Sequence, residues 1–205
     1  SMDGVGAPMA DLAILKDRHD LIIVTDSAHS TLVYGQNGAG LCEASGVLGF
    51  ADFAIGTLSK AIGCQGGFVA TSRAGREWLL NHGRSFIFTT ALAAPLAAAA
   101  QVAIAEGRDG EYRKKLWRNA SQLATILGRP EPSPIVPIIL GEENRTLMAS
   151  AKLLSAGIHV PAIRPPTVPT GSCRLRVALS ASHSREEVGN LGELLLSLPS
   201  FPEGP

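Results

Sequence analysis

Lys60 stands in IGTLSKAIGCQGGF, residues 55–68, as the single charged residue between Asp52 and Arg73. Most lone lysines are solvated, but an amine among small and apolar neighbours can add to a carbonyl carbon and form a Schiff base. Thr57 and Ser59 set hydroxyls beside it, and Gly63, Gly66 and Gly67 leave backbone N–H groups accessible, which suits a phosphate. A second group lies upstream, where Asp26 and His29 in DSAH follow the apolar run LIIVT. An acid and an imidazole three residues apart at a strand end resemble a site, because ligands of open α/β sheets bind outside the carboxyl ends of the strands. Taken singly, Asp26 is as well explained as a turn or helix cap and His29 as a surface residue. Arg174 and Arg176 in CRLRVAL alternate with Leu175 and Val177, so both share one strand face. That face is either a solvated edge or a clamp for a carboxylate.

Other chemistries fit less well. There is no GxSxG elbow, no GxGxxG after the first strand and no GxxxxGK[ST] loop. His19, His82, His159 and His183 are scattered, so no metal site is expected. Cys42, Cys64 and Cys173 lie far apart with no CxxC pair, which favours reduced thiols and an intracellular, cytoplasmic setting. Eighteen basic residues balance eighteen acidic ones, so no net field draws the chain to nucleic acid or an anionic membrane. The longest weakly polar run, 91–105, carries Pro95 and Gln101 and reads as a buried helix rather than a membrane span. Neither the N-terminus nor the ending FPEGP resembles a targeting address.

The elements that must position these residues alternate. LIIVT, DFAIGT and GFVAT read as strands buried on both faces of a mainly parallel sheet. Helices are expected from Pro8 into the following charged run and over 73–82, 94–106, 110–127, 144–156 and 184–197, with later strands near 135–140, 158–160 and 173–179. The fold class is α/β. The proline-rich GRPEPSP, 128–134, is expected to separate a first domain, 1–127, from a smaller α+β domain, 128–205. The opening SMDGVGAPMADLA goes almost directly from a turn into a helix, as the later part of a longer protein would.

TLSKAIGCQGG resembles the lysine signature of the α-oxoamine synthases, pyridoxal-phosphate enzymes of fold type I. SMDG at the start, DSAHS, GRSFIFTTALAAP and AIRPPTVPTGSCRLRVALSASHS extend the resemblance over the whole chain, which corresponds to the C-terminal half of that family. The last segment is most similar to the branch, in its plant form, that joins alanine to a pimeloyl thioester. The resemblance implies that Lys60 holds pyridoxal phosphate and moves the α-proton of the amino acid. Asp26 would pair with the pyridinium nitrogen, His29 and Ser1 with the phenolic oxygen, and Thr57 with the phosphate. Thr89 and Thr90 would reach the phosphate of a partner's cofactor, implying a homodimer with shared sites. Arg176 would grip the amino-acid carboxylate and Thr167 would contact substrate. The reaction implied is a decarboxylating condensation of an amino acid, alanine first, with an acyl-CoA. Relatives that use glycine or serine, and a silent fragment serving only as an interaction subunit, are the alternatives.

Overall fold

The structure is a computed structural model, and it describes residues 1–198; the ending FPEGP lies outside them. The chain forms two compact units. One is Gly6–Arg113, and the other joins Ser1–Val5 to the chain from Lys114 onward. They are described in turn as the N-terminal and C-terminal units.

In the N-terminal unit, α1 (Met9–Arg18) starts directly after Pro8, whose missing N–H costs nothing at a helix start. The sheet follows, with β1 (Val24–Asp26), β2 (Phe53–Thr57) and β3 (Gly67–Thr71) in that order. β1 and β2 are parallel, with Val24 opposite Phe53 and Asp26 opposite Ile55. Their connection is long enough to cross over, and it carries the single turn α2 (Leu41–Ala44). β3 instead returns antiparallel to β2, because residues 58–66 form a loop too short for a crossover. α3 (Arg73–His82), capped by the Ser72 side chain, the single turn α4 (Arg84–Ile87) and α5 (Ala94–Arg108) complete the unit. Leu58, Ile62 and Ala100 form its small core, with Leu32 and Ile104 against them. The strands are therefore less covered than their apolar sequences imply: Val24 is 57% exposed and Val69 44%.

In the C-terminal unit, α6 (Glu111–Ile126), whose first turn contains the division, leads through GRPEPSP into β4 (Ile135–Gly141). α7 (Glu143–Ser155), β5 (Ala162–Ile163), β6 (Cys173–Ala178) and α8 (Arg185–Leu196) follow. The strand order is β4-β6-β5, all antiparallel, so β6 is central, and Pro137 lies on an edge strand where a missing donor is tolerated. The strand expected at 158–160 forms instead at 162–163. The Val160 carbonyl accepts from Ser150 Oγ at 2.6 Å and is diverted from a ladder, and bonding to β6 begins with the Pro161 carbonyl, which accepts from the Arg176 N–H at 3.1 Å. Leu123, Ile138, Leu153, Leu175 and Leu195, drawn from three helices and two strands, are fully buried together.

Candidate functional site

Parallel pairing brings the carboxyl ends of β1 and β2 to one edge, with Asp26 closing β1 and Thr57 closing β2. The Ser27 N–H donates to the Ile55 carbonyl at 2.7 Å, so the chain leaving β1 stays fastened to β2. Asp26 Oδ1 accepts from the Ala28 N–H at 2.9 Å, an Asx-type turn. Its Oδ2 has no hydrogen bond among the described residues. Thr31 Oγ1 and the Thr31 N–H both donate to the Ser27 carbonyl, closing the turn that holds half-buried His29.

The loop after β2 is closed on itself. The Leu58 N–H donates to the Gly66 carbonyl at 2.9 Å, Cys64 N–H to the Leu58 carbonyl at 2.7 Å, and Gly63 N–H to the Lys60 carbonyl at 2.9 Å. Leu58 and Ile62 are buried beneath it while Ser59, Lys60 and Ala61 are exposed, so two apolar anchors hold a lysine in solvent. Gly63 and Gly66 have φ of +69° and +115°, values that a side chain would strain. Thr57 Oγ1 lies 2.7 Å from Ser59 Oγ and also accepts from the Ser59 N–H. Thr89 and Thr90 follow α4 in exposed coil, and Leu92 just beyond them lies where a Cβ on Gly66 would meet it at 3.3 Å. The N-terminal unit thus gathers Asp26, His29, Thr57 and Lys60 on two adjacent strand ends.

Ser1, Thr167 and Arg176 belong to the C-terminal unit. Arg176 is half-buried on central β6, and its Nε donates to the Ser1 carbonyl at 2.7 Å. Thr167 is exposed in the proline-rich loop between β5 and β6, with its N–H on the Arg164 carbonyl at 3.0 Å. The two arginines that look equivalent in sequence differ: Arg174 is buried and ion-paired with Asp3. Asp3 was not singled out by its sequence, because nothing local marks a contact 171 residues away. Cys42 is buried, and that burial pushes its thiol up, so it is an unreactive core residue.

A match to aminotransferase class I and II covers residues 1–195. The chain belongs to this family. An 8-amino-7-oxononanoate synthase of Arabidopsis thaliana is 44% identical over 202 residues, covering 98% of this chain and 42% of that protein. One from Anaeromyxobacter dehalogenans is 44% identical over 213 residues, covering all of this chain and 54% of the other. A serine palmitoyltransferase from S. paucimobilis with a bound PLP–myriocin aldimine superimposes with a TM-score of 0.88 at 32% identity, over 95% of this chain and 51% of that one. This aminotransferase-family chain therefore spans about half the length of the relatives it matches. No helix among the described residues is long and apolar enough to cross a membrane.

Proposed function

We propose that this chain carries cofactor- and substrate-holding residues of a pyridoxal-phosphate-dependent acyltransferase that condenses L-alanine with pimeloyl-CoA to 8-amino-7-oxononanoate, releasing coenzyme A and carbon dioxide, in biotin biosynthesis. The observation that carries the reading is the parallel β1–β2 register, in which Asp26, whose Oδ2 has no hydrogen bond among the described residues, ends the strand next to the one that leads into the Thr57–Lys60 loop. An acid, an amine and paired hydroxyls on adjacent strand ends suit a cofactor with a ring nitrogen, an aldehyde and a phosphate. The likeness to 8-amino-7-oxononanoate synthases supports the substrates.

When bound, pyridoxal phosphate supplies an electron sink conjugated to the α-carbon of the amino acid. In this reading Lys60 Nζ would hold the cofactor at its aldehyde and would move the α-proton of the amino acid. Asp26 would pair with the ring nitrogen, His29 and Ser1 would hold the phenolic oxygen, and Thr57 would hold the phosphate. Arg176 takes the alanine carboxylate, and Thr167 contacts substrate. Thr89 and Thr90 serve the site of a second copy, making the assembly a homodimer.

Adding pyridoxal phosphate to the purified chain tests this. A near-visible absorption band is expected, together with a borohydride-stable adduct mapping to Lys60 by mass spectrometry, and Lys60→Ala should lose both. Absence of band and adduct in the native chain overturns the cofactor assignment and leaves an interaction subunit. The serine palmitoyltransferase likeness favours a second reading, so serine and glycine are titrated beside alanine; a spectral response confined to either of them moves the substrate assignment.

A further inference from the structure

Arg174 has no part in the reaction outlined above, yet it is the most buried ionic side chain of β6. Its side chain is 8% exposed; Nε donates to the Ser172 carbonyl at 3.0 Å and Nη1 to the Asp3 carboxylate. A cation this deep requires such partners, since removing one leaves an uncompensated buried charge. Asp3 lies in the Ser1–Val5 segment, which is held against the C-terminal unit at three points. Besides the Asp3–Arg174 pair, Ser133 Oγ donates to the Gly4 carbonyl at 3.0 Å and Arg176 Nε to the Ser1 carbonyl at 2.7 Å. Gly4 has φ +68°, and a Cβ there would come within 1.9 Å of the Ile135 carbonyl oxygen, so the segment lies as close to β4 as bare backbone allows.

This arrangement changes what Arg176 can offer. A guanidinium binds a carboxylate in two parallel hydrogen bonds along one of two edges, one using Nε and the other using both Nη groups. The Ser1 carbonyl occupies Nε, and neither Nη is hydrogen-bonded among the described residues. Only the Nη1–Nη2 edge is left. Of the three contacts that hold the segment, the Asp3–Arg174 pair alone joins two opposite charges.

We propose that Asp3 is a positioning residue for carboxylate recognition: through Arg174 it holds the Ser1–Gly4 segment on β6, and the Ser1 carbonyl then turns the Nη1–Nη2 edge of Arg176 toward the substrate carboxylate. The proposal rests on the assignment of Arg176 as the carboxylate clamp. Asp3→Asn keeps the size of the side chain and removes its charge, and Asp3→Glu keeps the charge. The first readout needs no cofactor: hydrogen exchange of the Arg176 Nε–H and of the amides of residues 2–5, followed by NMR. Asp3→Asn is expected to speed both about tenfold, with the β4 and β6 amides still protected, and Asp3→Glu to restore them. The second readout titrates the pyridoxal-phosphate-loaded chain with alanine and with alaninamide, which lacks the carboxylate. Asp3→Asn is expected to weaken alanine about tenfold and leave alaninamide unchanged, a split that general destabilisation does not produce. Unchanged Nε–H exchange in Asp3→Asn overturns the proposal, and so does an unchanged alanine affinity when the parent chain distinguishes the two ligands. If the parent chain binds alanine and alaninamide alike, the assignment of Arg176 fails, while the exchange measurement still decides whether Asp3 holds the segment.

Discussion

Leu175 on β6 and Val24 on β1 are both aliphatic residues on short strands, yet the first is wholly buried and the second is 57% exposed. The difference follows from what each unit brings to its sheet. In the C-terminal unit α6, α7 and α8 contribute Leu123, Leu153 and Leu195 to one layer against β4 and β6, so a core closes within the unit. In the N-terminal unit the buried cluster is the loop after β2 together with Ala100 of α5, and Ile22, Val24, Phe68 and Val69 stay open to solvent. An apolar, β-branched run specifies a strand; what covers the strand is a separate matter, decided by other parts of a fold. Asp26, His29, Thr57 and Lys60, proposed to hold the cofactor, sit on the less covered unit, where local opening is easiest.

The largest test of this contrast compares core truncations. Leu175→Ala is expected to destabilise the C-terminal unit by about 2–5 kcal/mol, whereas Val24→Ala should change the N-terminal unit by less than about 0.5 kcal/mol. Trp117 lies in the C-terminal unit and Trp78 in the N-terminal unit, so urea unfolding of Trp78→Phe and Trp117→Phe variants follows each one separately. Equal losses from the two truncations would break the comparison. Next in size is Gly4→Ala, which puts a side chain at φ +68° and into the Ile135 carbonyl. A cost of about 1–3 kcal/mol is expected, read as faster amide exchange over residues 2–5 and near Ile135. Normal exchange there would mean that the segment is not seated closely.

Much of the candidate site was legible because its signals are local. Asp26 follows a β-branched run, and Lys60 sits between hydroxyls and glycines, so strand ends and loop were recognisable before the sheet was known. Helices α3, α5, α6, α7 and α8 announced themselves through length and composition, while single-turn α2 and α4 are too short to show any period. The antiparallel return of β3 and the burial of Arg174 were not legible. Each depends on a partner distant in sequence: β3 on how a short loop folds back onto β2, and Arg174 on an aspartate near the opposite end of the chain.

A smaller effect is expected at the start of α8, where Ser184 Oγ accepts from the Glu187 N–H at 3.2 Å and Glu187 Oε2 accepts from the Ser184 N–H at 2.7 Å. Ser184→Ala should lower the stability of the C-terminal unit by about 1 kcal/mol. The Ser184 N–H holds the Glu187 carboxyl below its usual range, so the folded value lies under the unfolded one, about 4.3. The contribution is therefore complete above the unfolded value and is lost as pH falls through the lower, folded value. Glu187→Gln should flatten that part of the acid-stability profile; an unaltered profile would show that the reciprocal cap contributes nothing.

The smallest effect is expected in the N-terminal unit, where Lys16 Nζ lies 2.7 Å from Asp52 Oδ2 and also donates to the Phe50 carbonyl at 2.7 Å. The same Asp52 oxygen accepts from the Ile23 N–H at 2.8 Å, just ahead of β1. The Lys16 hydrogen bond is the main reason that the Asp52 carboxyl lies below its ordinary range, with the Ile23 N–H adding to it. By the same sign, this contribution fades only as pH falls through that lowered value. Exposed ion pairs add little and are weakened by salt, so Lys16→Met should barely move the unfolding midpoint and should remove what salt dependence there is. Asp52→Asn should do more than Lys16→Met, because it also weakens the acceptor that holds the Ile23 amide beside the strand ending in Asp26. Faster exchange of the Ile23 amide in Asp52→Asn alone would show that the backbone contact fixes the entry to β1; equal exchange in both variants would assign that role to the ion pair.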